Sequence, residues 1–147
     1  MKVRDVMTRE VDAVAPDSSL KDAASKMHRL DVGFLVVYND KQPVGVLTDR
    51  DIVIRATARG LNPSQTRVSE VMSRDVSVCF SDEPLEQAAR MMEEQQVRRL
   101  VIVDHEGAMV GILSLGDMAV RGARRLACDV FERICESGNP PGNYGGG

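Results

Sequence analysis

The chain contains no tryptophan, two tyrosines and three phenylalanines in 147 residues. Single-stranded nucleic acids are held largely by stacking on aromatic rings, so that class of function has little to build on here. A basic field is missing as well: 19 Lys and Arg stand against 22 Asp and Glu, a net charge of -3, which argues against a nucleic-acid partner. The three cysteines, Cys79, Cys128 and Cys135, are odd in number and lack metal-type spacing. That is the usage of a reducing compartment, not of a disulfide framework. His28 and His105 share no ligand spacing, so both are expected at the surface. No stretch approaches the ~18 consecutive apolar residues of a membrane helix. Residues 1–14 are charged and lack the apolar core of a secretory signal. The expectation is a cytoplasmic protein without membrane attachment.

What is present is one pattern written twice. Val3, Val6, Met7, Arg9 and Val11 recur as Val68, Val71, Met72, Arg74 and Val76, an offset of 65. Leu20, Ala23, Ala24 and Met27 recur at the same offset as Leu85, Ala88, Ala89 and Met92. So do Val32, Leu35 and Val36, as Val97, Leu100 and Val101. One residue is then inserted, and Val44, Gly45, Leu47, Thr48 and Asp51 recur as Val110, Gly111, Leu113, Ser114 and Asp117 at an offset of 66. A constant offset over so many positions identifies a duplicated supersecondary unit. Apolar residues at 43% and charged ones at 28% are ordinary for a globular chain.

Each copy reads as strand, helix, strand, turn, strand, helix. In the first, 12–14 is a short strand, Pro16 to Ser19 supplies a cap, and Leu20 to Leu30 shows helical spacing with a narrow apolar face. The almost wholly apolar run 34–38 fits a strand covered on both faces, and 44–47 returns beside it. A helix is expected over 49–59, stopped by Gly60. The second copy predicts strands at 77–79, 100–104 and 109–113 and a helix over 85–95. Its last helix starts at Leu115 and is expected to run unbroken to about Ile134. The domain reading is repeat 1 over 1–60, linker 61–67, repeat 2 over 68–120, a helical extension 121–137 and a disordered tail 138–147 rich in Gly and Pro.

Two segments can carry chemistry: Gly45-Val46-Leu47-Thr48-Asp49-Arg50-Asp51 and Gly111-Ile112-Leu113-Ser114-Leu115-Gly116-Asp117. In each a strand ends, a hydroxyl follows, and an aspartate comes three residues later as a helix begins. Thr48 with Asp51 and Ser114 with Asp117 have the form of capping boxes. The same pieces suit a ligand: a helix N-terminus and hydroxyl attract an anion, and an Asp in the first turn can accept two hydrogen bonds from vicinal ribose hydroxyls. Recurrence in both copies favours the two roles together.

These motifs, with the openings Val6-Met7-Thr8 and Val71-Met72-Ser73, resemble a tandem pair of CBS motifs, the arrangement called a Bateman module. The stretch from Leu47 to Arg55 with Gly60-Leu61-Asn62-Pro63 is similar to small stand-alone bacterial CBS-pair proteins of the hypoxic-response type. The resemblance implies an α/β fold of two β-α-β-β-α repeats packed about a pseudo-twofold axis. It also implies a non-catalytic sensor of adenosine-containing ligands (AMP, ADP, ATP, NAD(H) or S-adenosylmethionine) with no cofactor beyond that regulatory nucleotide. One implied cleft combines Thr8, Val11, Val32, Gly33 and Phe34 with Ser114 and Asp117. The other combines Ser73, Val76, Val97, Arg98 and Arg99 with Thr48 and Asp51. In them the Asp would hold ribose, the hydroxyl would meet ribose or phosphate, and apolar residues would hold adenine. Arg98 and Arg99 suit phosphate, so a phosphorylated ligand should prefer the second cleft.

Outside these segments, Cys79 is expected to be buried. Cys128 and Cys135, on one face of the last helix, read as residues of core or interface packing. Leu126, Val130 and Ile134, with Ala127 and Phe131, form an apolar stripe that either folds back or meets a second subunit. Arg121, Arg124 and Arg125 read as its solvated face. A homodimer and a separate protein effector are the expected partners. The alternative reading is a ligand-independent interaction protein acting through the long last helix. No nucleophile–base pair or metal cluster supports an enzyme.

Overall fold

A computed structural model describes residues 1–136. The disordered tail expected over 138–147 lies outside them. In chain order the elements are α1 (Val3–Val6), β1 (Ala13–Val14), α2 (Leu20–Leu30), β2 (Phe34–Asn39), β3 (Gln42–Thr48) and α3 (Asp49–Arg55). Then follow β4 (Val78–Phe80), α4 (Leu85–Gln95), β5 (Arg99–Val103), β6 (Met109–Ser114), α5 (Leu115–Val120) and α6 (Arg124–Glu136). Short 3-10 turns lie at Thr57–Arg59 and Val68–Glu70.

Two compact α/β units result. One, the first-repeat unit, is 12–76; the other, the second-repeat unit, joins 1–11 to 77–136. The opening segment of each sequence copy therefore belongs to the unit of the other copy. Each unit holds a three-stranded sheet, β1-β2-β3 or β4-β5-β6, with the first pair parallel and the second antiparallel.

In the first-repeat unit Ser19 caps α2, its hydroxyl accepting from the Asp22 amide at 3.1 Å. The helix ends at Asp31, whose backbone is left-handed at φ 55°. Leu20, Ala23 and Met27 recur at helical spacing and bury one face against Leu35, Val37 and Leu47 of the sheet and against Val68, Val71 and Met72. Leu35, Val36 and Val37 are all fully buried although they alternate faces, as the apolar run 34–38 implies. Each fully buried leucine contributes roughly 1.5–3 kcal/mol. The stretch 61–67 packs onto this body, with Thr66 buried and its carbonyl accepting from Leu20 N at 2.9 Å.

The second-repeat unit repeats this core with Leu85, Ala88, Ala89, Met92, Leu100, Ile102 and Leu113, joined by Val3, Val6 and Met7. Its ending differs from the expected single helix. The chain breaks at Gly122, whose φ of +101° suits glycine, and Ala123 N bonds Met118 O at 2.8 Å. The break turns α6 back onto α4 and α5, burying Ala127, Val130 and Ile134 in the same core. The expected helix over 49–59 is likewise shorter: Ala56 leaves helical geometry, a 3-10 turn follows, and Gly60 at φ 71° ends it.

Two further expectations are corrected. Cys128 is exposed, which excludes core packing and leaves the interface half of its reading, because burial on α6 follows the Ala127–Val130–Ile134 row. Arg121 is not merely part of a solvated face, since its guanidinium bonds main-chain carbonyls. Cys79 is buried as expected, and burial first, then the nearby Glu83 carboxylate, pushes its thiol up to about 11. Among the described residues no helix is long and apolar enough to cross a membrane.

Candidate functional site

Each unit has one corner where a strand runs into a helix through a hydroxyl residue. In the second-repeat unit β6 ends at Ser114, whose Oγ accepts from Asp117 N at 3.0 Å. Asp117 Oδ2 accepts from Ser114 N, also at 3.0 Å. This is the reciprocal capping box of the sequence reading, and it occupies one carboxylate oxygen. The other oxygen, Oδ1, accepts from the Thr8 hydroxyl at 3.1 Å. Thr8 comes from the opposite end of the chain. It is held there by paired main-chain bonds with Ile112, Thr8 N to Ile112 O at 2.8 Å and the reverse at 2.9 Å.

The first-repeat unit repeats the construction. Asp51 N donates to Thr48 Oγ1 at 3.1 Å and Thr48 N to Asp51 Oδ2 at 3.0 Å. Ser73 sits where Thr8 does, bridged to Val46 by two bonds of 2.9 Å. Here Asp51 Oδ1 faces Arg55 Nε at 3.8 Å. Thr48 is buried and Asp51 half-buried. Ionised carboxylates offer about four lone-pair positions, so capping leaves each aspartate able to accept further donors.

The glycine opening each segment has a packing reason. A Cβ on Gly111 would stand 2.8 Å from Thr8 O and 2.7 Å from Met7 Sδ. One on Gly45 would stand 2.8 Å from Ser73 O and 2.7 Å from Met72 Sδ. The repeated Met-Thr/Ser and Gly-x-x-Thr/Ser motifs are thus two sides of one close contact.

Of the expected site residues, Thr8, Ser114 and Asp117 are brought into direct hydrogen bonding. Val97, Arg98 and Arg99 lie in the same unit: Arg99 pairs with Ser114 in the sheet and Leu115 N bonds Arg98 O at 3.1 Å. Val32, Gly33 and Phe34 lie in the first-repeat unit beside Thr48, through the Phe34–Thr48 pair and the Asp49 N to Gly33 O bond of 3.0 Å. Val11 ends the opening segment of one unit, and Ser73 and Val76 lie in that of the other. The Arg98 guanidinium stands 5.3 Å over the Phe131 ring of α6, a cation–π contact that sequence spacing did not foresee.

Sequence reasoning also missed Arg55 and Arg121. Arg121 Nη1 donates to Met7 O at 2.8 Å and Val6 O at 3.1 Å. Arg55 Nη1 donates to Val71 O at 3.1 Å and Met72 O at 3.3 Å. Their recurrence at the offset of 66, four residues after each aspartate, was the available signal. With Thr8, Arg121 lines an open groove of about 620 Å³ that Arg4 and Arg9 also face. Among the described residues no group of three or more His, Cys, Asp or Glu is placed to hold a metal ion.

Comparison with known proteins agrees with this construction. The CBS domain family model matches residues 3–56 and again 68–122. The chain is 44% identical over 118 residues to the CBS domain-containing protein YhcV of Bacillus subtilis, covering 80% of this chain and 83% of that one. It is 34% identical over 133 residues to hypoxic response protein 1 of Mycobacterium tuberculosis, covering 90% and 92%. Its fold matches that of a Pyrobaculum aerophilum CBS domain protein complexed with AMP, at a TM-score of 0.74 and 23% identity, over 90% of this chain and 99% of that one. Two hydroxyl-aspartate corners built by two copies of one motif, each matched by the family model, make the chain a member of the CBS-domain family with a pair of CBS domains.

Proposed function

We propose that this protein is a non-catalytic sensor whose aspartate corners bind an adenosine-containing ligand. Asp117, and Asp51 in the other unit, accept hydrogen bonds from the ribose hydroxyls, and Thr8, Ser114, Thr48 and Ser73 complete the polar contacts. Val11, Val32, Gly33, Phe34, Val76 and Val97 supply apolar surface for the base, and Arg98 and Arg99 favour phosphate. The observation that carries this reading is that Asp117 Oδ1, the carboxylate oxygen left open by the cap, accepts a hydroxyl donor, from Thr8 at 3.1 Å, and keeps a lone pair for another.

Binding shifts conformation or association only as far as the ligand distinguishes two states. The output passes to a homodimer or to a separate protein effector in the cytoplasm. AMP is the first ligand to try, since the P. aerophilum protein of the same fold is complexed with it. The reading as a ligand-independent scaffold acting through the last helix is weakened by α6, whose Val130 and Ile134 are spent on its own core.

A thermal-shift panel with AMP, ADP, ATP, NAD, NADH and S-adenosylmethionine tests the proposal. A ligand at 100 times its Kd adds about 2.7 kcal/mol to stability. A shift abolished by Asp117→Ala or Asp51→Ala supports it, and no shift from any of the six refutes it.

A further inference from the structure

Arg121 and Arg55 each join two parts of one corner. Arg121 follows α5 directly, its amide bonding Asp117 O at 2.9 Å, so it stands one turn beyond the aspartate. Its Nη1 reaches the carbonyls of Val6 and Met7, the two residues immediately before Thr8. Both are buried, at 0% and 3% exposure. Arg55 does the same for Val71 and Met72, immediately before Ser73, and its Nε also faces Asp51 at 3.8 Å. In the second-repeat unit the contacts close a ring: Asp117, Arg121, the Met7 carbonyl, Thr8, and Asp117 again.

We propose that Arg121 and Arg55 are positioning residues of the two ligand corners. Each pins the carbonyls ahead of Thr8 or Ser73, and so sets where that hydroxyl stands relative to the aspartate. A guanidinium suits the task because one planar group with five donors can bridge successive carbonyls and keep donors for the carboxylate side. A lysine would present a single flexible point. The inference rests on the nucleotide reading for its ligand but on geometry alone for its mechanical part. The competing explanation is that the arginines only cap the short helical turns ending at Met7 and Val71.

Exchange tests whether the contact holds the segment, and an affinity cycle separates positioning from capping. Amide hydrogen exchange is measured on the full chain, wild type against Arg121→Ala and Arg121→Lys. Positioning predicts that exchange at Thr8 and Ile112 rises about tenfold or more in Arg121→Ala while Val101 in β5 is unchanged. Arg121→Lys, which keeps the charge, gives a smaller rise and serves if the alanine variant unfolds. AMP affinity is then measured in a Thr8→Val, Arg121→Ala cycle. Positioning through Thr8 predicts a loss of about tenfold from Arg121→Ala in the wild type and little further loss once the hydroxyl is gone. Unchanged exchange at Thr8 and Ile112, or equal affinity losses in both backgrounds, overturns the inference. Failure of wild-type protein to bind AMP counts against the nucleotide reading alone, because the exchange result stands without ligand.

Discussion

Replacing Gly111 by alanine gives an unusually clean test, because two effects of the change have opposite sign. At a site with room, Gly→Ala stabilises by about 0.4–1 kcal/mol, since the unfolded chain loses freedom. Here the new methyl would meet Thr8 O at 2.8 Å and Met7 Sδ at 2.7 Å, both inside the 3.4 Å where ordinary contact begins. The methionine end can swing, although Met7 is buried at 3% exposure. The carbonyl cannot move alone, for it accepts from Ile112 N at 2.9 Å. The opening segment must shift as a whole, and overpacking of this kind costs about 1–3 kcal/mol. For a chain of this size that is roughly 3–10 °C in Tm. Urea unfolding followed by circular dichroism measures it, and Gly45→Ala should give a similar loss. Gly116→Ala is the internal control: its Cβ would meet nothing nearer than Ser114 Oγ at 3.6 Å, so helix propensity should stabilise it by about 0.5–1 kcal/mol. If Gly111→Ala unfolds at the wild-type urea concentration or above it, the close contact does not exist and the corner is wrongly built.

Ser114→Ala removes a cap and should cost about 0.5–2 kcal/mol by the same unfolding assay; a neutral result would contradict the reciprocal box. His105 Nε2 lies 2.7 Å from Asp82 Oδ2 with its ring stacked on Phe80 at 4.5 Å. That hydrogen bond holds the imidazole above its ordinary 6.5 and the carboxyl below 3.8. The histidine's contribution to stability is present below pH 6.5 and fades as pH rises through its raised pKa, while the aspartate's is present above 3.8 and fades as pH falls. NMR titration should show the His105 midpoint fall towards 6.5 in Asp82→Asn, and an unmoved midpoint would refute the pairing. Thiol labelling of the native protein at neutral pH should modify exposed Cys128 readily and spare Cys79, which is buried with a thiol near 11. Equal labelling of the two would mean that the β4 region is open.

Much of the fold could be read from the sequence because its signals are local. Helical spacing in Leu20, Ala23 and Met27, the apolar run at 34–38 and the hydroxyl-x-x-Asp caps each act within one element. Tertiary choices were less legible. The apolar row Leu126, Val130, Ile134 continues a helical period, which hid the break at Gly122 until the left-handed residue and the return of α6 onto α4 were in view. Arg121 looked like one charge among several, since nothing local says that buried carbonyls lie within its reach. The exchange of opening segments is the clearest case. Val-Met-Thr and Val-Met-Ser are nearly alike, as are the two glycine segments they meet, so local pattern cannot say which copy pairs with which. Thr8 therefore reaches Asp117 across 109 positions of chain, a partnership that the family resemblance implied and that no local pattern states.

The central claim is that each aspartate receives ribose hydroxyls from an adenosine ligand. It is tested most directly by calorimetric titration of AMP and of its 2′,3′-dideoxy analogue into wild type, Asp117→Ala and Asp51→Ala. The account predicts saturable AMP binding to wild type, a loss of at least about tenfold, or about 1.4 kcal/mol, for the dideoxy analogue, and a matching loss of AMP affinity in an aspartate variant that remains folded. Equal binding of AMP and the dideoxy analogue, or AMP affinity unchanged in both variants, would contradict it.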